Sequence, residues 1–125
     1  MLICQQLIIR NMGIISDYHA AFEAGNKDEM EKVLHDECLF IPHVGNAKMT
    51  KQDMLGILGS GMVTIENNRI LYENDEIGVD HCVAHFANGS TSEAVLTFYQ
   101  FKDGQIFRVE TGATPLSDDY NLIGN

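Results

Sequence analysis

The sequence predicts one α+β domain, with helices gathered in the first half and an antiparallel meander in the second. Three observations predict it. Apolar residues recur at helical steps up to about residue 58. Strand-like segments take over from Met62 onward. Asn88-Gly89 and Asp103-Gly104 then punctuate the second half with the positive φ angles that tight hairpins need.

Each element follows from local chemistry. Ile8, Met12, Ile15, His19 and Phe22 recur at steps of four and three, the stripe of an amphipathic helix. Gly25 suits its left-handed C-terminal cap. Asn26 starts a second helix with Glu29 as its capping-box partner, and Met30, Val33 and Leu34 form the apolar face. Cys38 to Ile41 reads as a strand that Pro42 ends or holds at an edge. Thr50 with Asp53 opens a third helix, faced by Met54, Leu55, Ile57 and Leu58 and stopped by Gly59 and Gly61. Four strands follow, at about Met62 to Glu73, Ile77 to Ala87, Glu93 to Lys102 and Gln105 to Thr111. Residues 1–11 read as a helical extension and 115–125 as a polar, loosely held tail.

The chain of 125 residues suits a single domain spanning 1–125. Hydrophobic residues make up 45% of it, enough to build a core. The net charge of −10 repels phosphate backbones and anionic membranes, so neither is an expected partner. Cys4, Cys38 and Cys82 are odd in number and form no C-x-x-C, which argues for buried thiols in a reducing cytoplasm. Leu2 to Ile15 is too short and too polar to span a bilayer, and it lacks a secretory cleavage signal. No phosphate-binding glycine loop or dinucleotide fingerprint occurs, so no cofactor is expected.

Two stretches carry a likeness to known proteins. Tyr18 to Asn26 (YHAAFEAGN), with the second helix and strand up to Gly45, resembles the opening of a ketosteroid isomerase. Phe98 to Ile106 (FYQFKDGQI) resembles the last hairpin of the same group. The element order is similar to the nuclear transport factor 2-like superfamily, which includes ketosteroid isomerases, scytalone dehydratases and SnoaL-like polyketide cyclases. The resemblance implies a cystatin-like cone, about three helices on a curved, mainly antiparallel sheet around a pocket. It also implies a homodimer paired through the exposed sheet face, where Ile106, Arg108 and Glu110 would lie.

Carried over by position, the resemblance gives Tyr18 the place of the isomerase's oxygen-polarising tyrosine. Pro42, with His43 beside it, falls where the general base stands, and Thr97 falls where the second acid stands. Both isomerase acids are thus absent from those places. Tyr18, His43 and His85 are the candidate catalytic residues, phenol and imidazoles that can donate or shuttle protons near neutral pH. Strand alternation with the family-like register puts His81, Val83 and His85 on the pocket side. Val95, Thr97, Tyr99, Val109 and Thr111 join them from the next strands, and Phe22 from the first helix, as a ligand-binding set. His81 and His85 lie about 13 Å apart on a strand rising about 3.3 Å per residue, so no metal site is expected. His19 is expected to pack against the sheet, and Asp75, Glu76 and Asp80 to form a solvated hairpin end. Glu110 is expected to face out with Arg108.

The functional expectation is a small hydrophobic ligand in the cone, with cofactor-free isomerase, dehydratase or cyclase chemistry. The alternative is a non-catalytic ligand-binding or dimerisation module.

Overall fold

The computed structural model describes residues 13–43 and 47–116. The extension assigned to 1–11, the first two positions of the helical stripe, and the tail beyond Leu116 lie outside the described residues.

The elements run α1 Gly13–Ala24, α2 Lys27–Val33, β1 Leu34–Ile41, β2 Met49–Thr50, α3 Lys51–Ile57, β3 Val63–Glu73, β4 Ile77–Phe86, β5 Glu93–Lys102 and β6 Gln105–Pro115. The six strands form one sheet in the order β2-β1-β6-β5-β4-β3. All neighbours are antiparallel except β1 and β6. Three helices on a curved, mainly antiparallel sheet make the α+β cone.

The caps fall where local chemistry puts them. Gly25 has φ +62°, and Gly25 N donates to Phe22 O while Asn26 N donates to Ala21 O, a Schellman closure of α1. Asn26 Oδ1 accepts from Glu29 N at the start of α2, but the expected reciprocal bond is not made, and Glu29 Oε1 accepts from Lys32 Nζ instead. Thr50 and Asp53 exchange both capping-box bonds at the start of α3. The α1 N-terminus is held from a distance: the Glu73 carboxylate, at the end of β3, accepts from Ile14 N at 2.9 Å and Ile15 N at 3.3 Å. A carboxylate there satisfies free N–H groups and complements the helix dipole.

The core lies between the helices and the sheet, with Ile15, Leu34, Tyr99, Ile106 and Val109 almost fully enclosed. Helix α1 comes close to β4 because Gly78 has no side chain. A Cβ there would meet Ile15 Cδ1 at 2.5 Å. Lys51 is the unexpected interior cation. Its Nζ donates to Glu31 O, Leu34 O and Asp36 Oδ1 at 2.9–3.0 Å, so all three of its donors are used, one of them at the end of α2.

Two boundary expectations change. Ile106 is not on the outer face: Phe107 is an extra residue between the Gln100–Arg108 and Phe101–Ile106 pairs, and this bulge turns Ile106 into the core. Pro115 is not tail: it closes β6 opposite Glu93.

Candidate active site

The concave face and the helices enclose a cavity of about 300 Å³. That is at the small end of ligand pockets. Its wall is mostly apolar, with Tyr18, His19, His43, Glu93, Thr97, Tyr99 and Thr111 as the polar exceptions. No lysine or arginine among the described residues lines it.

Of the residues singled out in the sequence, Tyr18, Phe22 and His43 border this cavity. So do Val95, Thr97, Tyr99, Val109 and Thr111. His81, Val83 and His85 do not, and the pocket-side assignment of these three is corrected. Their strand presents Asp80, Cys82, Ala84 and Phe86 inward. His85 instead lies on the outer face, its side chain 41% exposed, with Nδ1 2.6 Å from Ser92 Oγ and Nε2 3.2 Å from Glu66 Oε2. The physical reason is that both phases of β4 carry apolar residues. At Gly78 the inner phase lies against Ile15 of α1, where a side chain would not fit.

The same phase change buries Asp80, which is 1% exposed and not part of a solvated hairpin end. Three donors converge on its Oδ2: His19 Nε2 at 2.6 Å, Asn68 Nδ2 at 2.9 Å and the Tyr99 hydroxyl at 3.0 Å. Oδ1 has no partner among the described residues. A buried carboxylate stays ionised only with such donors around it. Asn68 reaches Asp80 because β3 bulges between Glu66 and Arg69, where Asn67 takes φ +56°. The bulge re-aims the Asn68 side chain under α1.

His19 therefore does more than pack. With Nε2–H given to Asp80, its neutral ring keeps Nδ1 as the basic nitrogen. Nδ1 makes no hydrogen bond among the described residues, and the residue lines the cavity. Beside it, the Tyr18 ring meets the rings of His19 and Tyr99 edge-on at 5.3 and 5.9 Å. The Tyr18 pKa is pushed well above the ordinary phenol value, chiefly by burial and then by the Asp80 charge. Tyr18 thus stays a protonated donor. Tyr99 is raised for the same first reason, with Tyr18 and Asp80 adding to it.

A second histidine–carboxylate pair stands at the more exposed end of the cavity. His43 Nε2 lies 2.9 Å from Glu93 Oε1, and Nδ1 lies 2.8 Å from Thr111 Oγ1. Thr111 Oγ1 also accepts the His43 backbone N–H at 3.0 Å, so the threonine hydroxyl proton is free to go to Nδ1. A neutral His43 with Nε2–H satisfies both contacts, which leaves neither ring nitrogen idle.

The two pairs are joined by a cross-strand row. Asp80 is opposite Thr97, and Thr97 is opposite Thr111. Two strand spacings separate the ends of the row, about 10 Å between backbones. Sequence reasoning missed Asp80 and Glu93, and it gave His19 to packing. The available signal was a histidine at the centre of an apolar helix stripe together with an acid inside a strand.

No family model matches the sequence, and no curated protein is detectably similar to it. Solved structures do match. The chain is similar to an NTF2-like protein of unknown function from Cytophaga hutchinsonii, with 14% identity, TM-score 0.68, and 82% of this chain and 88% of that one covered. It is similar to an NTF2-like protein from Mesorhizobium loti, with 13% identity, TM-score 0.68, and coverage of 81% and 88%. It is also similar to IdmH of Streptomyces antibioticus, a proposed polyketide cyclase, with 15% identity, TM-score 0.62, and coverage of 80% and 88%. These likenesses establish the class: the chain has the nuclear transport factor 2-like fold. Identities this low speak for the fold alone.

Proposed function

We propose that the cavity binds a small, largely apolar carbonyl compound and that His19 moves a proton on it without a cofactor. The observation that carries this reading is the buried His19–Asp80 pair, whose free imidazole edge belongs to a residue of the cavity wall. In the proposed step, His19 Nδ1 takes a proton from the carbon next to the carbonyl. Tyr18 donates its O–H to the carbonyl oxygen as negative charge builds there. Asp80 stabilises the imidazolium that forms, and returning the proton to a different atom completes the cycle. Isomerisation, dehydration and cyclisation all share this step. His43, with Glu93, orients the far end of the ligand.

Two further proposals accompany it. The outer face of β5 and β6, with Leu96 and Phe98 exposed beside Glu110, suits pairing with a second copy. The buried, unpaired thiols Cys38 and Cys82 suit a reducing, cytoplasmic setting. No described helix is long and apolar enough to cross a membrane.

The test is α-proton exchange. The protein is incubated with 4′-hydroxyacetophenone in D₂O, and loss of the methyl proton signal is followed by NMR. The reading predicts exchange faster than with buffer or heat-denatured protein, falling about 100-fold or more in His19→Gln. Binding without accelerated exchange would favour a non-catalytic carrier.

A further inference from the structure

The cavity's polar groups differ in kind from one end to the other. Tyr18 at the inner end and Thr97 midway offer hydroxyl protons, and neither hydroxyl has a hydrogen-bond partner among the described residues. Tyr18 cannot readily become an acceptor anion, because burial and the nearby Asp80 charge oppose its ionisation. At the outer end the free group is an acceptor. Glu93 gives Oε1 to His43 and leaves Oε2 without a partner among the described residues, with its side chain 16% exposed. Charge follows the same direction. The wall holds the Glu93 carboxylate, Asp80 stands behind His19, and no lysine or arginine among the described residues lines the space.

We infer that this cavity selects a carbonyl compound with an amine or hydroxyl at its far end, and rejects the corresponding acid. The inference rests on the ligand-binding reading above. The carbonyl oxygen accepts from Tyr18 at the inner end, and the amine or hydroxyl donates to Glu93 at the outer end. An ammonium gains a charge-assisted bond there. A carboxylate in the same place meets Glu93 in a poorly hydrated site with no cation to offset it.

The experiment uses three para-substituted probes of matched size: 4′-(aminomethyl)acetophenone, 4′-hydroxyacetophenone and 4-acetylbenzoate. Their affinities are measured by titration calorimetry at neutral pH. The amine and the phenol should bind at least about tenfold tighter than the acid. Glu93→Gln should erase most of that ratio, whereas Tyr18→Phe should weaken all three alike and preserve it. Circular dichroism and thermal melting confirm that each variant folds. Binding of the acid as tight as that of the amine, or an unchanged ratio in Glu93→Gln, overturns the selection while leaving the cavity a ligand site. Failure of all three probes to bind overturns both.

Discussion

His19 Nε2 lies 2.6 Å from Asp80 Oδ2, tying the middle of the first helix to β4, one strand in from the edge of the sheet. Neither residue alone is unusual, since helices carry histidines and strands carry aspartates. The pairing is consequential because Asp80 is buried and because its other contacts, Asn68 and Tyr99, are neutral donors fixed by the fold. The ring is thereby held by one nitrogen and left free at the other.

Asp80→Asn keeps the shape and removes the charge that stabilises an imidazolium. We expect α-proton exchange to fall about 100-fold or more. Stability should fall by about 1–3 kcal/mol, because three donors lose a charged acceptor. Exchange kinetics and urea unfolding check the two effects separately.

The close approach of α1 to β4 depends on Gly78. Gly78→Ala drives a methyl group into Ile15 and Phe101, both fully or nearly fully buried. The expected loss is about 1–3 kcal/mol. The helix should also be displaced enough to lengthen the His19–Asp80 contact, so exchange should drop with stability. A crystal structure of the variant would show the displacement.

Lys51 should matter to folding and not to chemistry. Lys51→Met fills a similar volume but abandons the Glu31 and Leu34 carbonyls. Urea unfolding should show a loss of about 1–3 kcal/mol, while probe affinity in the surviving folded fraction stays unchanged.

Alkaline pH should weaken the fold through its thiols. Burial pushes Cys38 from an ordinary 9.0 up to about 11, despite the opposing Arg108 and Lys51 charges. Burial, aided by Asp80, raises Cys82 likewise to about 11. A raised thiol pKa means that the folded state holds the proton more tightly. The stabilisation is therefore complete below pH 9 and lost as pH rises through 11. Tyr18 and Tyr99, also raised, extend the loss above pH 10. The urea midpoint should decline across that window, and a Cys38→Ala/Cys82→Ala variant should flatten its first part.

Much of this architecture was legible in the chain. Caps at Gly25, Asn26 and Thr50 and turns at Asn88-Gly89 and Asp103-Gly104 are local statements, decided by one or two residues each. In the last turn, Asp103 and Gly104 both take positive φ, at +55° and +74°. The phase of a strand is less local. In β5, the family-like register put Val95, Thr97 and Tyr99 on the concave side, where they border the cavity, although Leu96 and Phe98 on the other phase are as apolar. In β4, Val79 and Val83 on one phase competed with Cys82 and Ala84 on the other, so hydrophobicity could not choose. What chose at the start of the strand was helix α1, whose Ile15 leaves no room for a side chain at Gly78. Bulges are likewise invisible to a strict period of two. Phe107 reversed the side of Ile106, and Asn67 aimed Asn68 at Asp80. The resemblance located the Tyr18 end of the site, but Asp80 belongs to a position it did not address.

The central claim is that His19 is a proton carrier oriented by Asp80. The most direct measurement is ¹⁵N NMR of the His19 imidazole across a pH titration, with and without 4′-hydroxyacetophenone. The account predicts a neutral form with the proton on Nε2 and an Nδ1 whose signal shifts when the ketone binds. It also predicts loss of the Nε2–H preference in Asp80→Asn. A neutral ring protonated on Nδ1, or a His19 signal indifferent to both the ketone and Asp80→Asn, would contradict it.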